Sequence, residues 1–250
     1  MTLVGVPLGE PFPANGMPAP DDERRVDIGS EDYAKQRCHE VVERAAALLQ
    51  AFAELPAKAS PHQPAVQVAA LLLRLCGCGK VTHLLRSTPP STTKSAARVF
   101  DTALLKCYEE LAELDPLTAE QALQCSLPLR LGGRGLRSQE QLASAAWVAS
   151  WAQCLAEVLQ RTGLDELEDL EVSDLPLARA CRTARAELPE ATEGPRDDRD
   201  GPPLGTWREL ALQPRMKAQR MLSRRLDEKN HARCLTLLSP ESRAQLRSCA

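Results

Sequence analysis

The chain has 250 residues, a mass of 27.3 kDa and a hydrophobic fraction of 43%, which is enough for a folded core and excludes a wholly disordered protein. A formal net charge of −3 excludes a uniformly basic nucleic-acid-binding protein, although residues 208–247 carry ten Arg or Lys against four Asp or Glu. Only 3% of the residues are aromatic while Ala and Leu are abundant, so the composition predicts an aliphatic, all-α core.

The first half of the chain begins with an extended segment and continues into helices. Residues 1–29 contain five prolines and four glycines, which favour irregular or extended backbone. Ser30 precedes two acidic residues, as is typical of a helix N-cap, and apolar residues recur at helical spacing from there to Pro56. A second predicted helix begins after Pro64, ends at the Cys-Gly-Cys-Gly turn, and buries the face formed by Val68, Leu71, Leu72 and Leu75.

The helices that follow are indicated by capping residues. Ser91 or Thr92 is expected to cap a helix that begins after two prolines and carries the apolar residues Val99, Ala103, Leu104, Cys107, Tyr108 and Leu111. Thr118 is expected to cap a short helix that ends near Ser126. Both segments therefore add to the helical core.

The second half contains one long helix, an acidic segment and a basic end. Ser138, followed three residues later by Gln141, has the pattern of a capping box and precedes an Ala-rich helix with two of the three tryptophans. Residues 163–205 are acidic and rich in Pro and Gly, which predicts a disordered loop or linker. Thr206–Leu226 and Cys234–Leu246 read as further helices.

The predicted architecture is an all-α, irregular multi-helix bundle. It has an extended segment at 1–29, a helical region at 30–162, an acidic linker at 163–205 and a basic helical segment at 206–250. Almost no part of the chain has the two-residue alternation of a β-strand.

The glycines of "LGGRG" suggest either a structural turn or a phosphate site. The spacing matches neither the P-loop pattern nor the dinucleotide-binding pattern Gly-x-Gly-x-x-Gly. A tight turn that lets helices pack closely is the favoured interpretation. The alternative is a helix N-terminus that holds a backbone phosphate beside Arg130, Arg134 and Arg137.

Candidate metal and catalytic residues do not form a complete site in the sequence. The single Cys-x-Cys pair lacks the second ligand pair of a structural zinc site, so the interpretation is a packed helix end rather than metal binding by Cys76, Cys78, His62 and His83. The pairs Asp21–Asp22 and Asp197–Asp198 lack flanking apolar strands and are predicted to lie in solvated loops. No complete nucleophile or metalloprotease motif is present.

The predicted location is intracellular, either nuclear or cytoplasmic. Nine cysteines form no disulfide framework spacing, and the N-terminus lacks the pattern of a secretion signal, so reduced thiols are expected. Arg74 and Gly77 interrupt the most apolar run, and we therefore expect no membrane span and no membrane partner.

Four segments follow one another along the chain: "LVGVPLG", "LLLRLCGCGKVTHLLRSTPP", "LPLRLGGRGLRSQEQLASAAWVASW", and "QRMLSRRLD" with "SRAQLRSCA". In this order they resemble the region that follows the palm in reverse transcriptases of non-LTR retrotransposons. The first resembles the family's Leu-Gly-x-Pro-x-Gly segment, and the second its leucine helix with a Cys/Gly turn and "LLR". The third resembles its Gly-Gly-Leu-Gly-Leu-Arg-Ser motif with an Ala-rich helix, and the last its later Gln-x-x-Leu-Ser and Arg-Leu-x-Ser pieces. Arg134 stands where leucine is common, and the resemblance fades from Asp165 to Asp200.

The resemblance implies a thumb-like helical region that grips a template and primer. In this family the catalytic aspartates of the palm lie upstream of the first of these segments, so they would precede Met1. The expectation is a non-catalytic fragment of an RNA-directed DNA polymerase, not an enzyme by itself and without a cofactor, although the parent enzyme would need Mg²⁺. The expected partners are an RNA/DNA duplex or RNA template and a separate palm-containing chain.

Cationic side chains are the candidate contacts to the nucleic-acid backbone, with phosphate contacts rather than base readout. A solvated charged surface is the simpler alternative for the basic C-terminal run. Two further alternatives are a helical protein–protein interaction module and a decayed, untranslated retroelement copy without function. The candidates are Arg86, Lys94, Arg98, Arg130, Arg134 and Arg137 in the thumb-like region and Arg220, Arg224 and Arg225 in the C-terminal segment.

Overall fold

The described residues of the chain form an all-α fold in a computed structural model, as the composition predicts. Within the predicted extended segment, the two-residue strands Thr2–Leu3 and Val6–Pro7 pair antiparallel. The predicted acidic linker lies largely outside the described residues. The structure describes residues 2–3, 6–7, 30–60, 64–162, 172, 174, 176–188 and 218–248.

Helices account for nearly all of the described backbone. A π-helical turn at Leu73–Gly77 extends the second helix, and a short 3-10 turn at Leu129–Leu131 precedes the glycines of "LGGRG". The helices are α1 (Glu31–Lys58), α2 (Ala65–Leu72), α3 (Thr82–Ser87), α4 (Pro90–Leu111), α5 (Ala119–Ser126), α6 (Gln139–Thr162), α7 (Pro176–Ala186), α8 (Ala218–Leu237) and α9 (Pro240–Ser248).

Helices α4 and α6 form the centre of the bundle. Helix α1 packs along one side of α4, while α3, α7 and α8 pack around α6. Phe100 of α4 and Leu49 of α1 are completely buried in the first of these layers. In the other, the rings of Trp147 and Trp151 lie 5.8 Å apart, tilted by 58°, in a cluster that includes Leu222 of α8. Phe100, Trp147 and Trp151 therefore lie where the central helices meet their neighbours.

Two of the predicted helix caps are confirmed. The hydroxyl of Ser30 accepts a hydrogen bond from the backbone N–H of Tyr33 at 3.1 Å. Thr118 and Gln121 form a complete capping box, with each side chain bonded to the other residue's backbone N–H. Short polar side chains thus satisfy the N–H groups that a first helical turn leaves free.

Helix α4 differs from its prediction in its cap and at one apolar position. It begins at Pro90, so Pro89 stands at the N-cap in place of the predicted Ser91 or Thr92. Proline suits the first helical position because its fixed φ is already helical and no N–H is lost there. Of the apolar residues predicted for this helix, Val99 is 51% exposed, whereas three are buried: Leu104, Cys107 and Leu111.

The predicted buried face of α2 is wrong. Val68 is 44% exposed, Leu71 is 47% exposed and Leu75, in the π-helical turn, is 65% exposed, whereas Ala69 and Leu73 are completely buried. Seven of the eight residues of the helix are apolar, so its hydrophobic spacing could not identify the inner face.

The C-terminal helices number two among the described residues, within the predicted two or three, but their boundaries differ from the sequence pattern. Helix α8 continues through the predicted break between Leu226 and Cys234, while residues 206–217 lie outside the described residues. Helix α7 lies within the range assigned to the linker, and its Ala178 and Cys181 are buried against α6. Tertiary packing stabilises a helix in a segment whose composition favours a loop.

One stretch of the described residues, Ala65–Ser87, is long and apolar enough to cross a membrane by length and composition alone. The core helix of a protein in water passes the same test. Here Val81 and Leu85 of this stretch are buried inside the bundle, while Leu75 is exposed.

The glycine turn at residues 132–135 is closed on itself. Its N–H groups and that of Leu136 donate to carbonyl groups of residues 125–129 at 2.8 to 3.3 Å. Gly132 and Gly135 have φ angles of 75° and 77°, which only glycine adopts without strain. A methyl group on Gly133 would overlap the carbonyl of Leu127. The interpretation as a structural turn is confirmed.

Replacing Gly133 by Ala should destabilise the fold, because the new methyl group meets rigid backbone. We expect the free energy of unfolding to fall by about 3 kcal/mol or more. Gly79→Ala is the matched control, since its methyl group would meet no atom within 4 Å. Urea denaturation followed by circular dichroism measures both variants, and equal midpoints would contradict the closed turn.

Candidate nucleic-acid interface

Two of the candidate cations, Arg130 and Arg137, converge on one buried carboxylate. Their guanidinium groups lie 3.4 Å and 2.5 Å from Oδ2 of Asp227 on α8, and that side chain is only 7% exposed. Burial raises the pKa of Asp227, although the two guanidinium groups act to lower it. Both arginines therefore connect the glycine turn to α8.

Lys94 and Arg98, one helical turn apart on α4, also form ion pairs within the bundle. Nζ of Lys94 lies 2.6 Å from Glu187, which follows α7, and Arg98 binds Glu140 on α6 at 2.5 Å. Burial acts to raise the pKa of Glu187, but Lys94 and a hydrogen bond from Ser144 hold it below its usual range. These cations join α4 to the next layer of helices.

Arg86 bridges three helices through neutral partners. From α3 it donates to Oε1 of Gln153 on α6 at 2.6 Å and to Oε1 of Gln219 on α8 at 3.0 Å. Because both acceptors are amide oxygens, its positive charge is not neutralised by these bonds. Arg86 thus retains a full charge where α3, α6 and α8 meet.

The remaining candidate arginines differ in their exposure and in whether an acidic side chain pairs with them. Arg224 lies 3.2 Å from Glu228, one turn further along α8, and Arg225 is half-buried. Arg134 and Arg220 are exposed and make no ion pair with another residue in the part of the chain that the structure describes. These two side chains are the most accessible candidates for contact with an external anion.

The glycine turn and the N-terminus of α6 do not form an open phosphate site. The N–H groups of the turn are already bonded to carbonyl groups, and those of Gln139 and Glu140 donate to the carboxylate of Asp101 at 2.7 Å and 3.1 Å. Asp101, from α4, thus occupies the position that a phosphate would take. This excludes the alternative of a phosphate held at these backbone groups.

The sequence did not identify Asp101 as a candidate, although its pKa is well above the usual value for Asp. Asp101 accepts a third hydrogen bond, from the hydroxyl of Ser138 at 2.6 Å, and Ser138 in turn accepts from the N–H of Gln141 at 3.2 Å. Burial raises the pKa of Asp101 to about 6, since the three hydrogen bonds offset only part of the desolvation, and nearby Glu140 raises it further. Its only signal in the sequence is its place directly after the core residue Phe100.

The candidate metal ligands are not brought together. Within the described ranges, no group of three or more His, Cys, Asp or Glu side chains could hold a metal ion. Cys76 is exposed, whereas Cys78 is buried and its Sγ lies 3.7 Å from the carbonyl oxygen of Gly135. Burial raises the pKa of the Cys78 thiol to about 12, so it stays protonated. His62 and both aspartate pairs lie outside the described residues.

Comparisons with protein-family models, with curated proteins and with solved structures found no match. The contacts within the chain are therefore the basis for any functional interpretation.

Asp101 should make stability depend on pH in a defined direction. The pKa of this carboxyl is about 6 in the folded protein and 3.8 in the unfolded chain, so the folded state binds the proton more tightly. The free energy of unfolding therefore falls as the pH rises and this proton is lost. We expect the stability of the unmodified protein, relative to Asp101→Asn, to fall by about 2 kcal/mol between about pH 4 and pH 7. Urea titrations across this range measure the difference, and a constant difference would contradict the raised pKa.

Proposed function

We propose that this chain is a non-catalytic, helical piece derived from a non-LTR retrotransposon reverse transcriptase, and that it binds the backbone of template or primer nucleic acid. The proposed ligand is an RNA/DNA duplex or an RNA template. Palm carboxylates would come from a separate chain, with the Mg²⁺ that the parent reaction needs.

The observation that carries this proposal is the convergence of the segments that resemble the family. The Cys/Gly turn meets the glycine turn through Cys78 and Gly135, whose Sγ and carbonyl oxygen lie 3.7 Å apart. Arg86 of the "LLR" segment binds Gln219 of the "QRMLSRRLD" segment at 3.0 Å. Leu246 of the last segment lies against Gly132, with no room for a side chain at that glycine.

Such contacts are expected if the segments descend together from one folded unit. Chance similarities scattered along a helical chain have no reason to meet in space. This supports common descent of the segments more strongly than any single motif does.

The accessible charges limit the proposed binding to a small number of phosphate contacts. Arg134 and Arg220 are exposed, and the charge of Arg86 is not neutralised by its amide partners. By contrast, Arg130 and Arg137 bind Asp227 and would contribute by holding the turn in place. Binding should therefore be weak, insensitive to sequence and steeply reduced by salt.

The test is filter binding of the full chain to an RNA/DNA hybrid at increasing salt. We expect measurable affinity at low salt and a loss of affinity between about 50 and 200 mM salt. The double variant Arg134→Ala with Arg220→Ala should bind about tenfold more weakly at low salt and reduce the salt slope by about two.

Arg161→Ala is the matched control for the loss of one exposed positive charge. Arg161 lies in the last turn of α6, where it pairs with Glu157 at 2.7 Å, and it belongs to none of the segments that resemble the family. Its replacement should leave the affinity for the hybrid unchanged. No binding at low salt, or equal losses in the control and the double variant, would contradict the proposal.

A second candidate function is a protein–protein interaction module. The exposed apolar residues Val68, Leu71 and Leu75 follow one another along the outer side of α2 and its π-helical extension, a pattern that favours association with another apolar surface.

This candidate predicts self-association that Leu75→Lys abolishes without a loss of helicity. Light scattering of the purified chain measures its mass, and circular dichroism checks the fold. A monomer at about 100 μM, where weak interfaces of this kind are populated, would exclude a homotypic module.

A further inference from the structure

Helices α4, α5, α6 and α8 line a half-open pocket of about 330 Å³ that the proposed nucleic-acid contacts do not use. Its volume falls in the range of pockets that bind small molecules. The walls are mostly aliphatic and come from four separate helices and the residue that follows the glycine turn. The aliphatic residues include Leu104, Leu105, Ala122, Leu123, Leu136 and Leu237.

One end of the pocket is negatively charged. Asp101 and Glu140 both line it, together with the hydroxyl of Ser138. The three donors that bond to Asp101 are a hydroxyl and two backbone N–H groups, all of them neutral. Glu140 has a cationic partner in Arg98, but no ion pair to Asp101 exists among the residues that the structure describes.

A half-buried carboxylate without a cationic partner is less favourable in its charged form than one in water. Burial and the neighbouring charge of Glu140 together raise the pKa of Asp101 to about 6. At neutral pH the group is nevertheless mostly ionised, so a cation brought into the pocket would offset part of the desolvation cost. An anion would instead face two carboxylates, although Arg233 also lines the pocket.

We propose that this pocket binds a primary amine carried on an apolar body, with the ammonium group at Asp101 and the apolar part between the leucines. The volume sets the size of the ligand. A cavity of about 150 Å³ holds benzene, so a pocket twice as large accommodates roughly a dozen non-hydrogen atoms. An aralkyl amine of that size fills the pocket and places one cation at its charged end.

Three probes of the same length test the role of charge: phenylbutylamine, phenylbutanol and phenylbutyrate, each titrated into the full chain by calorimetry near neutral pH. The amine should bind about tenfold more tightly than the alcohol, as a charged hydrogen bond to a carboxylate implies. The carboxylate should bind more weakly than both. Equal affinities, or no amine binding at millimolar concentration, would overturn the proposal.

Two variants locate the site. Asp101→Asn should reduce the affinity for the amine to that for the alcohol. The control Glu110→Gln removes an exposed acid elsewhere on α4 and should leave the affinities for the amine and the alcohol unchanged. Ala122→Leu fills the pocket and should abolish binding of all three probes. An amine affinity unchanged by Asp101→Asn would assign the binding to another part of the chain.

The unmodified protein gives an independent measurement if a variant fails to fold. The affinity for the amine should fall as the pH drops through about 6, because Asp101 takes up a proton and loses its charge. The affinity for the alcohol should not change over this range. If the preference for the amine over the alcohol were the same on both sides of pH 6, an ion pair with Asp101 would be excluded.

Discussion

The structure depends on how the N-terminus of α6 is held. Asp101 reaches from α4 to bond the N–H groups of Gln139 and Glu140 and the hydroxyl of Ser138. An acidic group at this end of a helix is also favoured by the helix dipole. Because α6 packs against α3, α4, α7 and α8, this one carboxylate sets the position of the helix that most others share. Its cost is a buried charge, which appears as the raised pKa.

Five of the candidate cations, Arg86 and those at 94, 98, 130 and 137, connect layers of this bundle, whereas other ion pairs lie within a single helix. Arg137 joins the glycine turn to α8 through Asp227, and Lys94 joins α4 to the residue after α7 through Glu187. An ion pair that is half-exposed adds little to stability by itself, but leaving a buried carboxylate such as Asp227 without a partner would be costly. A candidate cation is therefore most available to nucleic acid where no acid of the described residues pairs with it, as at Arg134 and Arg220.

Part of the candidate site could be read from the sequence, and part could not. Thr118 caps its helix as predicted, because capping depends on residues within four positions of each other. Ser138 accepts from the N–H of Gln141 as predicted, but the predicted capping box is incomplete, since the side chain of Gln141 bonds to Asn230 instead. The closed glycine turn was likewise predicted as structural, since positive φ angles at Gly132 and Gly135 are a local requirement.

The partners of Arg86 and Arg137 lie 67 or more positions away, where spacing carries no information.

The sequence by itself determined the all-α class, the starts of α1, α2, α5 and α6, and the turn between α5 and α6. Those features follow from backbone propensity and from contacts between near neighbours. Only the tertiary structure decided which face of α2 is buried, that α7 packs as a helix, and which cations are paired. Seven of the eight residues of α2 are apolar, so several of its faces have similar hydrophobicity, and only packing within the bundle decides that Ala69 is buried. The charge of Asp101 depends in the same way on burial, which arises only when α4 and α6 meet.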